Sequence, residues 1–121
     1  MKWPPAPPAN SAAFARATGR LRGVEPRKMF GYPAVFVSGN MIAGLVRERM
    51  VIRLSVTDRA RFLALPGATP FIAMKGRVMK QWAVVPPAML KSPARLGRWL
   101  ARALVHGRSL PPKPVRRRKT R

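Results

Sequence analysis

The chain contains 121 residues, of which 25 are Lys or Arg and only 3 are Asp or Glu, so its formal net charge is +22. This length suffices for one domain with tails, and hydrophobic residues at 47% of the composition suffice for one core. The chain has no cysteine, which excludes thiol and zinc–thiolate chemistry. It shows no signal peptide and no apolar run long enough to span a bilayer, so we predict a cytoplasmic protein without membrane insertion.

The N-terminal segment predicts a leader followed by a short helix. Residues 1–10 are rich in proline, so we expect them to be extended and disordered. A PxxP recognition segment is an alternative interpretation of the same residues, but such motifs recur by chance in proline-rich stretches. Asn10 and Ser11 are candidate caps of a helix that reaches Leu21, although Gly19 weakens it.

The next segment alternates between β-rich runs and turn signals. Residues 34–37 and 41–46 are apolar runs, and Gly39-Asn40 between them is typical of a two-residue hairpin turn. Residues 47–49 form a second short turn, and the alternation over residues 50–55 predicts a third strand with one more polar face.

A second helix and two further strands follow. Thr57 is the predicted N-cap of this helix, Asp58 lies favourably in its first turn, and Pro66-Gly67 ends it. Residues 71–74 and 81–85 predict two more strands, separated by a loop.

The last helix gives the clearest pattern in the sequence. It opens at Ser92-Pro93, where the cap and the proline stand in their preferred positions. Its core-facing positions recur at helical spacing, and they are Leu96, Trp99, Leu100, Ala103 and Leu104. Beyond it, residues 111–121 predict a basic, disordered tail, so the folded domain is expected to span residues 11–110. The element order α-β-β-β-α-β-β-α, without β-α-β alternation, predicts an α+β fold in which an antiparallel sheet of about five strands packs against helices.

Five segments of the chain, taken together, resemble those of a known protein family. They are Lys28-Met29-Phe30-Gly31, Gly39-Asn40-Met41, Pro66-Gly67-Ala68-Thr69-Pro70-Phe71, Gly76-Arg77-Val78-Met79-Lys80 and Arg108-Ser109-Leu110-Pro111-Pro112-Lys113. This set resembles the TfoX N-terminal domain family, including its short stand-alone members, over residues 24–113. The resemblance implies an antiparallel sheet packed against helices, in the order that the patterns predict.

Three features set this chain apart from that family. The resemblance implies competence regulators that act with a transcription factor and carry a second, helical domain. This chain ends before such a domain, so the competence role cannot be carried over to it. Tyr32 follows Gly31 where the family commonly has a second glycine, which puts the local backbone geometry in question. Relatives usually contain many Asp and Glu, so the basicity is a property of this chain rather than of the family.

The titratable residues do not predict an active site, and we expect the protein not to be an enzyme. The single histidine, His106, lies near the end of the last helix, where a cation-capable side chain is favourable. Asp58 is explained by the start of the second helix, and Glu48 stands between two arginines in a turn. The sequence has no phosphate-binding glycine loop, and it predicts neither a metal site nor a cofactor.

The basic residues predict a nucleic-acid interface with two parts. Residues 26–110 contain fifteen basic residues and two acids, so the folded part is itself strongly positive. The first part is a stripe on the last helix, opposite its apolar face, and it consists of Lys91, Arg95, Arg98 and Arg102. The second part is the tail, with Lys113, Arg116, Arg117, Arg118, Lys119 and Arg121. Phosphates are the expected ligands, because solvated helix faces usually mix charge signs and this helix has no acid.

Few aromatic side chains are available to stack on bases. Trp82 and Trp99 stand at core-type positions, so only Trp3 and Tyr32 are predicted to be exposed. We therefore expect nucleic-acid binding to be weakly sequence-selective and salt-sensitive. The alternative is a protein–protein adaptor for a transcriptional regulator, in which charge only steers association. For the tail, an anionic membrane surface and a purely solubilising role are further alternatives.

Overall fold

The computed structural model describes residues 6–72 and 76–113 of the chain. Within these ranges it contains, in chain order, α1 (Pro8–Thr18), β1 (Glu25–Met29), β2 (Tyr32–Val37), β3 (Asn40–Val46), β4 (Arg49–Arg53), α2 (Val56–Leu63), β5 (Thr69–Ile72), β6 (Val78–Val84), the 3-10 turn Pro87–Lys91 and α3 (Pro93–Ser109). The strands form one antiparallel sheet in the order β1-β2-β3-β4-β6-β5, which confirms the predicted α+β class. Across these two ranges, no helix combines the length and the apolar character that crossing a membrane requires.

Strand β1 is an element that the sequence patterns do not predict, and it makes the sheet one strand wider than expected. Its residues are mostly exposed and show no apolar alternation, because β1 lies at the edge of the sheet and pairs only with β2. The edge position also explains how the strand accommodates Pro26, which cannot donate a backbone hydrogen bond.

The turn between β1 and β2 resolves the question raised by Tyr32. The two turn residues are Phe30 and Gly31, and both have positive φ angles, 53° and 84°. Tyr32 follows them as the first residue of β2, paired with Met29, so it needs no left-handed backbone. The prediction that Tyr32 is exposed is wrong, since the side chain is buried within the core cluster.

The turn between β2 and β3 lies one residue earlier than predicted. Ser38 and Gly39 adopt the positive φ angles, 49° and 82°, whereas Asn40 already belongs to β3 and pairs with Val37. Asn40 is buried, and its Nδ2 donates a hydrogen bond to the carbonyl oxygen of Pro111 at 3.0 Å. This bond ties the segment after α3 to the hairpin.

Two helices begin earlier than the sequence patterns indicate. Helix α1 starts at Pro8 rather than at an Asn10 or Ser11 cap, so three residues assigned to the extended leader are helical. Helix α2 is capped by Ser55 rather than Thr57, because the Ser55 hydroxyl accepts a hydrogen bond from the Asp58 amide at 3.2 Å. Asp58 lies in the first turn of α2, as predicted.

The two strands after α2 also start earlier than predicted. Strand β5 begins at Thr69 and β6 at Val78, where the patterns indicate residues 71–74 and 81–85. Residues 73–75, which include the end of the first predicted strand, lie outside the described residues.

The core lies between the helices and the central strands. Helices α1 and α3 contact β2, β3 and β4, and α2 contacts β6. The predicted core positions of α3 are confirmed, since four of them are buried: Leu96, Leu100, Ala103 and Leu104. The fifth, Trp99, is partly buried and packs edge-on against Phe62, with 4.9 Å between the ring centroids. One turn further on, Gly107 is buried against Val37 and Ile42.

Candidate nucleic-acid interface

The outward side of α3 carries three arginines on consecutive turns. Its buried positions occupy one side of the helix, and Arg95, Arg98 and Arg102 lie exposed on the other. We call these three residues the arginine row. Their spacing of three and four residues places their side chains above one another along the axis.

Lys91 does not belong to α3, although the sequence pattern places it there. It is exposed at the end of the 3-10 turn Pro87–Lys91. The backbone of Ser92 is not helical, with φ −122° and ψ 87°, and the helix begins only at Pro93. Proline suits the first helical position but cannot donate to a preceding turn, so the helix cannot extend back to Lys91.

Arg102 has an ion-pair partner that no sequence pattern indicates. Its Nη1 lies 3.1 Å from Oδ1 of Asp58 on α2, and its guanidinium carbon lies 5.7 Å from the centroid of the Trp99 ring. Asp58 is 17% exposed and Arg102 is 52% exposed, so the pair orients Arg102 while leaving half of its side chain in solvent. No such acid approaches Arg95 or Arg98 among the described residues, which leaves the charges of both available to a ligand.

Further arginines border the row on both sides. Arg61 on α2 is exposed and lies one helical turn beyond Asp58. Arg16 is in the last turn of α1 and Arg20 follows the end of that helix; both are exposed and line a groove together with Arg98. The sequence patterns do not assign Arg16 and Arg20 to the interface, because Arg20 follows the end of α1 and no helical spacing relates the two.

On the strands, two arginines are held against aromatic rings. The guanidinium carbon of Arg27 lies 5.3 Å from the centroid of Phe36, and that of Arg49 lies 5.8 Å from the centroid of Phe71. Arg27 also pairs with Glu25 at 2.9 Å. These contacts engage the guanidinium groups within the protein, in contrast to Arg95 and Arg98.

His106 lies in a polar cluster beside the last turn of α3. Its Nε2 is 3.4 Å from Oε1 of Gln81, an oxygen that also accepts a 2.7 Å hydrogen bond from Nε of Arg53. Burial lowers the pKa of His106 below its usual value, and the charge of Arg53 lowers it further, against an opposing effect of Asp58. The imidazole is therefore mostly neutral at pH 7, whereas the sequence pattern indicates a cation-capable group at the helix end.

The acidic residues lie far apart in the fold. Glu25 is on β1, Glu48 is in the turn between β3 and β4, and Asp58 is on α2. Across residues 6–72 and 76–113, no three side chains of types that ligate metals come together.

Of the six basic residues predicted in the tail, only Lys113 belongs to the described part of the chain. Its backbone amide donates a hydrogen bond to the carbonyl oxygen of Ser38 at 2.7 Å, which holds it at the β2–β3 hairpin. Gly39 makes this contact possible, because a Cβ at that position would overlap the carbonyl group of Lys113. The other five basic residues of the tail lie outside the described residues, and they are Arg116, Arg117, Arg118, Lys119 and Arg121.

Comparison with protein families identifies the fold. The model of the TfoX N-terminal domain matches residues 16–106, from within α1 to the last turn of α3. This match covers most of the chain and includes the whole sheet. The chain therefore belongs to the TfoX N-terminal domain family. No curated protein matches it.

Proposed function

We propose that this TfoX N-terminal domain protein is a non-enzymatic regulatory module of the cytoplasm that binds nucleic acid through its phosphates. The arginine row of α3 provides the central contacts, and Lys91 and the basic tail add further ones. The observation that carries the proposal is the row itself: three exposed arginines on one helix face, approached among the described residues by a single acid, Asp58.

The dimensions of the row suit a phosphate backbone. An α-helix rises about 1.5 Å per residue, so Arg95 and Arg102 are separated by about 10 Å along the axis. A DNA strand carries one charge per roughly 3.4 Å of its helix axis, so several phosphates lie within reach of the row. Arginine is suited to them because its planar guanidinium can bind a phosphate through two hydrogen bonds.

We expect the contacts of α3 to be with phosphates rather than with base edges. The helix contains neither Asn nor Gln, the side chains that typically read adenine in the major groove. Phosphate contacts position a protein on a duplex but carry little sequence information. We therefore expect similar affinities for duplexes of unrelated sequence.

The proposal that the module is not an enzyme is supported by how its titratable groups are used. Asp58 pairs with Arg102, Glu25 pairs with Arg27, and the neutral His106 contacts Gln81. None of these contacts joins an acid to the histidine, the arrangement that orients the base of a catalytic triad.

Salt titration of nucleic-acid binding tests the proposed function. The arginine row and Lys91 alone would make three to four phosphate contacts, so counterion release predicts that the affinity for a short duplex falls by about 40-fold or more between 50 and 200 mM salt. Each contact that the tail adds would steepen this dependence. Fluorescence anisotropy measures this directly. Absence of binding at the lower salt concentration, or affinity that does not change with salt, would overturn the proposal.

A pair of double variants separates the row from net charge alone. Arg95→Ala with Arg98→Ala should reduce the slope of log affinity against log salt by about 2. The matched control, Arg77→Ala with Lys80→Ala, removes the same charge from exposed positions near the start of β6 and should change the slope little. Equal effects of the two double variants would show that the row is not the interface.

A further inference from the structure

A groove between α1 and α3 combines an apolar floor with a cationic rim. It encloses about 390 Å³ on the outer surface of the helices. Leu21, Leu90 and Leu96 contribute to its floor, and Arg16, Arg20 and Arg98 stand around it. No described residue that lines the groove is acidic.

Small residues on α3 keep this groove open. A Cβ at Gly97 would meet no atom within 4 Å, so internal packing does not require a glycine there. Glycine inside a helix destabilises it relative to alanine, so the position carries a cost that no internal contact explains. Gly107 on the same helix differs, because its Cβ would lie 2.5 Å from Ile42 Cγ2. The lack of a side chain at Gly97 serves the shape of the outer surface.

We infer that this groove docks an acidic amphipathic helix of a partner protein. The apolar stripe of such a helix covers the leucine floor, and its flanking carboxylates meet the three arginines of the rim. Charge complementarity selects this occupant, since a basic or neutral helix would leave those arginines without partners. A sugar–phosphate backbone satisfies the rim but offers no apolar side chains for the floor.

This docking site is separate from the arginine row except at Arg98, which borders both. The inference therefore goes beyond the proposed function and does not depend on it. Gly97 belongs to the groove alone, and Arg95 belongs to the row alone. Substitutions at these two positions distinguish protein docking from nucleic-acid binding.

Binding of a labelled peptide to the full chain tests the inference. The probe is a synthetic helix with Leu at positions i, i+3, i+4 and i+7 and Glu on both flanks, and a scrambled peptide of equal composition is its control. Gly97→Leu fills the groove and should weaken binding at least tenfold. Val105→Leu is the matched control, because Val105 is 67% exposed on α3 and does not line the groove. It should leave the affinity unchanged.

A second variant and a second ligand complete the experiment. Arg16→Glu with Arg20→Glu should also abolish binding of the acidic peptide and should allow the equivalent Lys peptide to bind instead. Thermal unfolding followed by circular dichroism should show that each variant is folded, since Arg16 and Arg20 are exposed and a side chain at Gly97 would face open space. Equal binding of the scrambled peptide, or wild-type peptide affinity in Gly97→Leu, would overturn the inference. Loss of duplex binding in Gly97→Leu would also overturn it, by assigning the groove to nucleic acid.

Discussion

Replacing Gly107 with alanine adds one methyl group to α3 at its closest approach to the sheet. The new Cβ would lie 2.5 Å from Ile42 Cγ2 and 2.6 Å from Val37 Cγ1. Both neighbours are β-branched residues of strands, whose side chains have little rotational freedom, so either the helix or the strands must shift. Overpacking of this kind costs about 1–3 kcal/mol. The gain in helix propensity offsets about 0.5–1 kcal/mol of that cost.

Gly97→Ala on the same helix is the matched comparison. The propensity gain is the same, but the added Cβ meets no atom within 4 Å, so we expect stabilisation by about 0.5–1 kcal/mol. The difference between the two variants then isolates the packing cost of about 1–3 kcal/mol.

Urea unfolding followed by circular dichroism measures this difference. The midpoint should fall for Gly107→Ala and rise for Gly97→Ala, with similar m-values in both, because neither change alters the surface exposed on unfolding. A Gly107→Ala variant as stable as Gly97→Ala would refute the argument, and with it the close packing of α3 on β2 and β3.

Three further predictions concern charge. Asp58→Asn removes the partner of Arg102 and the acid in the first turn of α2, so the free energy of unfolding should fall by about 1 kcal/mol. Duplex affinity should rise, because the charge of Arg102 is then unpaired. A fall in both quantities would contradict the proposed interface. Arg95→Glu should weaken duplex binding yet stabilise the fold by about 0.3–1 kcal/mol, because it places an acid in the first turn of α3. Anisotropy measures the binding and urea unfolding the stability; unchanged duplex affinity or a lower urea midpoint would contradict the prediction. His106 has a lowered pKa in the folded state, because of burial and the charge of Arg53. The unfolded chain therefore binds the proton first, and stability should be fully present above about pH 6.5 and decline as the pH falls below that value. His106→Gln should make stability depend less on pH. If the thermal midpoints of the wild type and of His106→Gln fall equally between about pH 7.5 and 5, protonation of His106 is not the cause.

Most of the fold follows from periodic patterns that a sequence can display. The strands around residues 34–37, 41–46 and 50–54 have apolar runs or alternation, and α3 has a complete apolar stripe. Strand β1 lacks such a pattern because an edge strand need bury little. Its presence depends on pairing with β2, which is a tertiary interaction rather than a local preference.

The candidate site was predictable to a similar extent. Helical spacing places Arg95, Arg98 and Arg102 on one face, and the structure agrees. The contact between Asp58 and Arg102 joins residues 44 positions apart, so no local pattern could indicate it. The groove likewise exists only because α1 packs beside α3.

The position of the basic residues along α3 is itself informative about function. The N-terminal end of a helix carries a partial positive charge, so acids are favourable there and cations are not. Helix α3 has no acid in its first turn, and Lys91 and Arg95 stand at that end instead. The arrangement therefore costs the folded protein stability, whereas a bound anion would interact favourably with both the helix end and the arginines. Two basic residues thus stand against the preference of the helix dipole, and this placement supports the proposal of a polyanionic ligand.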